Sequence, residues 1–228
     1  MLKYYRRRFI VLSEGRSGST YLATLLDSHP NIVCKGELLH PNNVGVMNAE
    51  QYLVTFQKVL DGLWKSDERC EACGCKIKNS QIACLNKSVV KYLVDKDVQV
   101  IHIVRRNVLN LLIEQNLVRR NHLYVMKPYP PDSVVITVDN LYNAIDSQKN
   151  YIEKVNKLLP RNILVEYEDL CWDKDCEIRR IAEFLGVEFS DTSSPMVKQM
   201  LMSQSECLVN YQELQQQFKD TEYSWFFE

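Results

Sequence analysis

No run of about 18 apolar residues occurs in this 228-residue chain, so no membrane span is expected. Net charge is also missing: 28 Lys+Arg against 29 Asp+Glu leave -1, which removes a global basic field for nucleic acid. Any basic site must be local. The basic start ahead of Phe9-Ile10-Val11-Leu12 has too short an apolar run, and no small-residue cleavage site, for a secretion signal. Eight cysteines without such a signal are too few for a disulfide scaffold, so the expectation is a cytoplasmic protein with reduced thiols. Internal repeats and low-complexity linkers are lacking too, and one domain over 1–228 is the simplest organisation.

What is present is globular: 46% hydrophobic and 25% charged residues. Residues 8–13 and 32–34 read as short strands, and 98–104, rich in β-branched residues, as the strongest strand. Cys75-Lys76-Ile77 is a weaker strand candidate, and 162–167 another. Helical spacing runs over 49–64, 85–95, from about Val108, over 139–158 and over most of 168–185, which Gly186 ends. Strands alternating with helices predict an α/β fold with a parallel sheet and helices on both faces. The apolar Trp225-Phe226-Phe227 segment is expected to pack rather than hang free.

Between the first strand and first helix stands Gly15-Arg16-Ser17-Gly18-Ser19-Thr20. Glycines there allow a tight turn whose N–H groups converge on one anion, and the following helix adds its N-terminal partial charge. Arg16 supplies a cation, and Ser17, Ser19 and Thr20 supply hydroxyls. The loop is not a Walker loop, because two rather than four residues separate Gly15 from Gly18 and Ser19 stands in the lysine's place. Hydrolysis of a magnesium nucleotide is therefore disfavoured.

Residues 9–30, opening on this strand and loop, resemble the start of sulfotransferases that use 3′-phosphoadenosine 5′-phosphosulfate (PAPS). Val100–Asn107, Ile163–Leu170, Phe184–Val187 and Ser205–Leu214 follow in the family's order, the last resembling bacterial carbohydrate-type members, trehalose sulfotransferase among them. The resemblance implies a P-loop-like three-layer fold. It implies transfer of a sulfuryl group from PAPS to a hydroxyl of a carbohydrate or small metabolite, leaving adenosine 3′,5′-bisphosphate and requiring no metal. By the same resemblance, Arg16, Ser17, Gly18, Ser19 and Thr20 grip the 5′-phosphosulfate, with Arg16 where the cytosolic branch has lysine. Arg106, with Arg105 as alternate, binds the 3′-phosphate, Tyr167 is a candidate for adenine, and Lys198 belongs to a late basic segment over the cofactor. Glu37 is the candidate general base and His40 the runner-up.

One position departs from the family. Its phosphate-binding serine, eight residues after the arginine, falls on Glu114 counted from Arg106 and on Ile113 counted from Arg105. A carboxylate would repel the phosphate, so either the helix register differs or other donors such as Arg119 or Lys198 serve. His102, inside a strand, reads as a core histidine. For Cys70, Cys73, Cys75 and Cys84, free thiols are favoured over structural zinc or a loop disulfide. A kinase of related shape, or a binding protein without turnover for which Glu114 would speak, are the competing readings. The acceptor walls are expected near 38–50 and 119–135.

Overall fold

The computed structural model describes residues 7–45, 48–65, 70–82, 87–122 and 128–227. Their contacts group the chain into two compact units, Met1–Val104 with Val155–Pro195, and Arg105–Lys154 with Met196–Glu228.

The first unit holds a parallel five-stranded sheet. Its central strand, β1 (Arg7–Ser13), lies between β3 (Ala72–Lys78) and β4 (Gln99–Val104), with β2 (Ile32–Lys35) outside β3 and β5 (Asn162–Glu166) outside β4. The order β2-β3-β1-β4-β5 leaves Phe9, Ile10, Val11 and Leu12 with no exposed surface, as a continuous apolar run in a central parallel strand should be. Residues 72–78 form a full seven-residue strand, longer than the sequence suggested. Gly74 makes this close packing possible: a Cβ there would lie 2.6 Å from the Phe9 ring.

Helices flank this sheet. The first unit carries α1 (Ser19–Asp27), α2 (Pro41–Val44), α3 (Ala49–Lys65), α4 (Lys87–Asp95), α7 (Tyr167–Trp172) and α8 (Lys174–Leu185). Leu22, Leu25 and Leu26 of α1 and Ile178, Ile181 and Leu185 of α8 share one core with Phe9, Val11, Ile101 and Ile103. The single helix expected over 168–185 is two: Asp173 closes α7 and caps α8, its carboxylate accepting the Cys176 N–H at 3.0 Å. Gly186, at φ 69, ends α8 as expected.

The second unit contains α5 (Val108–Asn121), α6 (Val138–Leu158, as far as Lys154), α9 (Gln204–Cys207) and α10 (Tyr211–Phe218). Its core joins Leu109, Ile113 and Leu117 to Leu141, Leu214, Phe218, Phe226 and Phe227, so the terminal aromatic segment is packed as expected. Asn107 caps α5 by accepting the Asn110 N–H at 2.9 Å, while its amide donates to the Phe226 carbonyl at 3.0 Å.

Candidate active site

The loop after β1 folds as a tight curl. Arg16 and Gly18 both have left-handed backbones, at φ 72 and φ 85. Gly18 is the N-cap of α1, and its carbonyl accepts the Leu22 N–H at 3.1 Å. Its lack of a side chain has a second cause: a Cβ would lie 2.1 Å from the Tyr167 ring. Gly18→Ala is therefore expected to lower the melting temperature by about 2–8 °C from the left-handed backbone alone, at 1–2 kcal/mol. Displacing the ring would add to this, so an unchanged melting curve would refute the packing.

The hydroxyls of the loop divide their work. Ser17 is buried, and its Oγ donates to the Glu14 carbonyl at 2.8 Å. Expected as a phosphate donor, that hydroxyl instead braces the turn. Ser19 is buried at the first position of α1. Thr20 Oγ1 accepts from Lys76 Nζ at 2.8 Å, which leaves the threonine's own proton to donate elsewhere.

Lys76 is the residue that the sequence did not announce. It is a lysine in a buried strand, 7% exposed, and such a charge requires partners. Besides Thr20, its ammonium contacts Glu37 Oε1 at 2.9 Å. Lys78, two residues on and so on the same face of β3, lies 2.9 Å from Glu37 Oε2. The parallel register sets Lys35 opposite Cys75, and Ser13 opposite Lys78. Gly36-Glu37, the phosphate-type loop and the end of β3 thus share the carboxyl-terminal edge of the sheet, where open α/β sheets bind ligands. Burial pushes the Glu37 carboxyl upward, but hydrogen bonding and charge from Lys76, then Lys78, outweigh it and hold the carboxyl below its ordinary value. Two lysine ammoniums thus meet the Glu37 carboxylate beside the glycine loop.

The arginine pair separates in role. Arg105 is buried and its Nη1 meets Glu114 Oε1 at 2.6 Å, while its carbonyl accepts from Gln148 Nε2 at 3.0 Å. Arg106 is exposed, with its guanidinium carbon 6.0 Å from the centre of the Trp225 ring. Glu114 is therefore a buried counter-ion rather than a bare carboxylate, which removes the repulsion expected of it.

The sulfotransferase domain family matches residues 6–228, nearly the whole chain. The chain belongs to the sulfotransferase family. It is 26% identical to nodulation protein H of Rhizobium meliloti over 97% of this chain and 95% of that protein, and 24% identical to nodulation protein H of Rhizobium tropici over 96% and 92%. A solved sulfotransferase from Alicyclobacillus acidocaldarius covers 94% of this chain and 92% of its own at 15% identity with a TM-score of 0.58, which shows the shared fold.

The other candidate residues of this sulfotransferase each have their own surroundings. Tyr167, at the start of α7, is half-buried with its ring against Gly18, so it shapes the loop. The His40 side chain faces α2, where Nδ1 accepts the Asn42 N–H at 3.2 Å. Lys198 is exposed, in a stretch without regular structure. Burial lowers His102 to about 4, so it is neutral in the sheet. Burial, then Cys73, pushes the Cys75 thiol up to about 12. Cys70, Cys73 and Cys75 are buried and not joined in a disulfide, and Cys84 lies outside the described residues. Among the described residues no group of three or more His, Cys, Asp or Glu is set to hold a metal ion, and no helix is long and apolar enough to cross a membrane.

Proposed function

We propose that this sulfotransferase takes its sulfuryl group from PAPS and delivers it to a hydroxyl of a carbohydrate or small metabolite, the chain 1–228 acting as one sulfotransferase domain. The observation that carries the reading is the Lys76 ammonium held between Thr20, at the first turn of α1, and Glu37. It puts a buried cation beside a loop suited to an oxygen-rich anion, next to a group able to accept a proton. The donor fits this setting, and when bound it supplies the activated sulfuryl group and a phosphate leaving group.

The backbone N–H groups around Gly18, the Thr20 hydroxyl, Arg16 and Lys76 bind and orient the 5′ end of the donor. They also meet the negative charge that grows on its oxygens during transfer. Glu37 takes the acceptor's proton. Arg106 holds the 3′-phosphate, its planar fork suited to that group, while Arg105 is engaged by Glu114. Lys198 adds positive charge from the later segment. The likeness of Ser205–Leu214 to carbohydrate-type members supports a sugar hydroxyl as acceptor. A pairing of Glu114 with Arg105 takes away the feature that favoured a binding protein without turnover.

Thermal melting with adenosine 3′,5′-bisphosphate, with ATP as control, tests the reading. At a ligand concentration of 100 times Kd the gain is about 2.7 kcal/mol, a rise of roughly 5–11 °C for a chain of this size. The rise should vanish in Arg16→Ala and be absent with ATP. No rise in the wild type would refute the PAPS site, and a rise with ATP alone would point to a kinase.

A further inference from the structure

The two oxygens of Glu37 have unlike surroundings. Oε1 faces Lys76, whose side chain is 9% exposed and is also held by Thr20. Oε2 is buried and faces Lys78, whose side chain is 36% exposed. Lys78 meets Oε2 at 2.9 Å from a more exposed position, so this oxygen is held by a strongly hydrated ammonium that reaches solvent. An acceptor hydroxyl must reach a carboxylate oxygen to pass on its proton. Oε1 is committed to a buried lysine that Thr20 also holds, and Oε2 is covered by one that reaches solvent.

We propose that Lys78 is a positioning residue that covers the proton-accepting oxygen of Glu37 until the acceptor binds and then yields it to the acceptor hydroxyl. This rests on the reading of Glu37 as the proton acceptor. The displaced ammonium has three donors and becomes a hydrogen-bond donor to the acceptor oxygen. That oxygen is then held between a proton acceptor and a cation, an arrangement that selects a group which both donates and accepts, as an alcohol does. The acceptor hydroxyl gives its proton to Oε2 and its lone pair to sulfur, while the sulfur's bond to the phosphate oxygen breaks and leaves its electrons there. No oxidant, reductant or metal enters the balance.

Among the described residues, the charged groups paired with the carboxylate are Lys76 and Lys78, both from β3; Thr20 of α1, bonded to Lys76, is neutral, and Asn43 donates to the Glu37 carbonyl. Without Lys78 the burial of Glu37 is opposed by one cation instead of two, so its carboxyl must rise. A base active as carboxylate loses activity as pH falls through its pKa, so with that pKa raised the acidic limb of kcat/KM moves upward.

The experiment reads both quantities. The ligand-free protein is titrated by carbon-13 NMR of its glutamate carboxyls, with Glu37→Gln identifying the signal, and the pH profile of kcat/KM is measured with PAPS and a sugar acceptor drawn from a panel. In Lys78→Met the Glu37 titration and the acidic limb should both move up by roughly one pH unit, the size expected for loss of a close opposite charge. Lys78→Arg, which keeps the charge, should restore most of the wild-type position. An unmoved Glu37 titration in folded Lys78→Met overturns the role given to Lys78 while leaving Glu37 as base intact. A moved titration with an unmoved acidic limb overturns Glu37 as the proton acceptor, and the gating role with it.

Discussion

Lys76→Met should lower kcat/KM by about two to three orders of magnitude, the cost of removing one preorganised charge from a site where negative charge develops. The ammonium lies 2.8 Å from Thr20 Oγ1 and 2.9 Å from Glu37 Oε1, so one substitution removes a buried cation beside the loop and releases one oxygen of Glu37. The fall should be mostly in kcat, because the charge it answers is largest in the transition state. Arginine should rescue little: its planar fork cannot repeat two contacts made by a compact ammonium inside a buried strand. Transfer of labelled sulfate from PAPS to a panel of sugars, measured well below the variant's melting temperature, checks this. A loss of less than about threefold would remove Lys76 from the reaction.

Glu114→Ala should cost about 3–5 kcal/mol, because it leaves the buried Arg105 guanidinium without its carboxylate. For a chain of this size that is a fall of roughly 6–20 °C in melting temperature. The double variant Glu114→Met with Arg105→Met should recover a good part of it, since apolar replacement of a whole buried pair is often neutral. A different result follows if Glu114 faced a phosphate instead. Glu114→Ser would then tighten binding of adenosine 3′,5′-bisphosphate without loss of stability. With the carboxylate paired to Arg105 as observed, the serine variant is destabilised and gains no affinity. Calorimetric melting and titration of the bisphosphate separate the two results.

The parts of this protein that are local in the chain were legible from residues alone. The apolar run Phe9–Leu12, the glycine loop and the periodic helix after it lie side by side in sequence, and they fold as β1, loop and α1. The strand 99–104 announces itself by β-branched residues, and Gly186 marks a helix end because its backbone is left-handed. The resemblance built on these segments led to the sulfotransferase family, which the match over 6–228 shows.

Other features depended on neighbours distant in sequence. Ala72–Lys78, with cysteines, a glycine and two lysines, lacks the pattern of a buried strand, and it is buried because β1 and β2 close on both its edges. The break at Asp173 was hidden in a continuous helical pattern, because one capping side chain decided it. Arg105 and Arg106 look alike in the chain, and burial beside Glu114 separates them.

By itself the sequence determined most of the order of strands and helices, the glycine turn after the first strand and the family. The tertiary structure alone decided which charges meet there. The loop has no lysine of its own at the expected place, and parallel pairing of β1, β2 and β3 brings Lys76 to Thr20 and Glu37 across long stretches of chain. Coulomb forces act through space, and strand register, set by hydrogen bonds and core packing, fixes those distances.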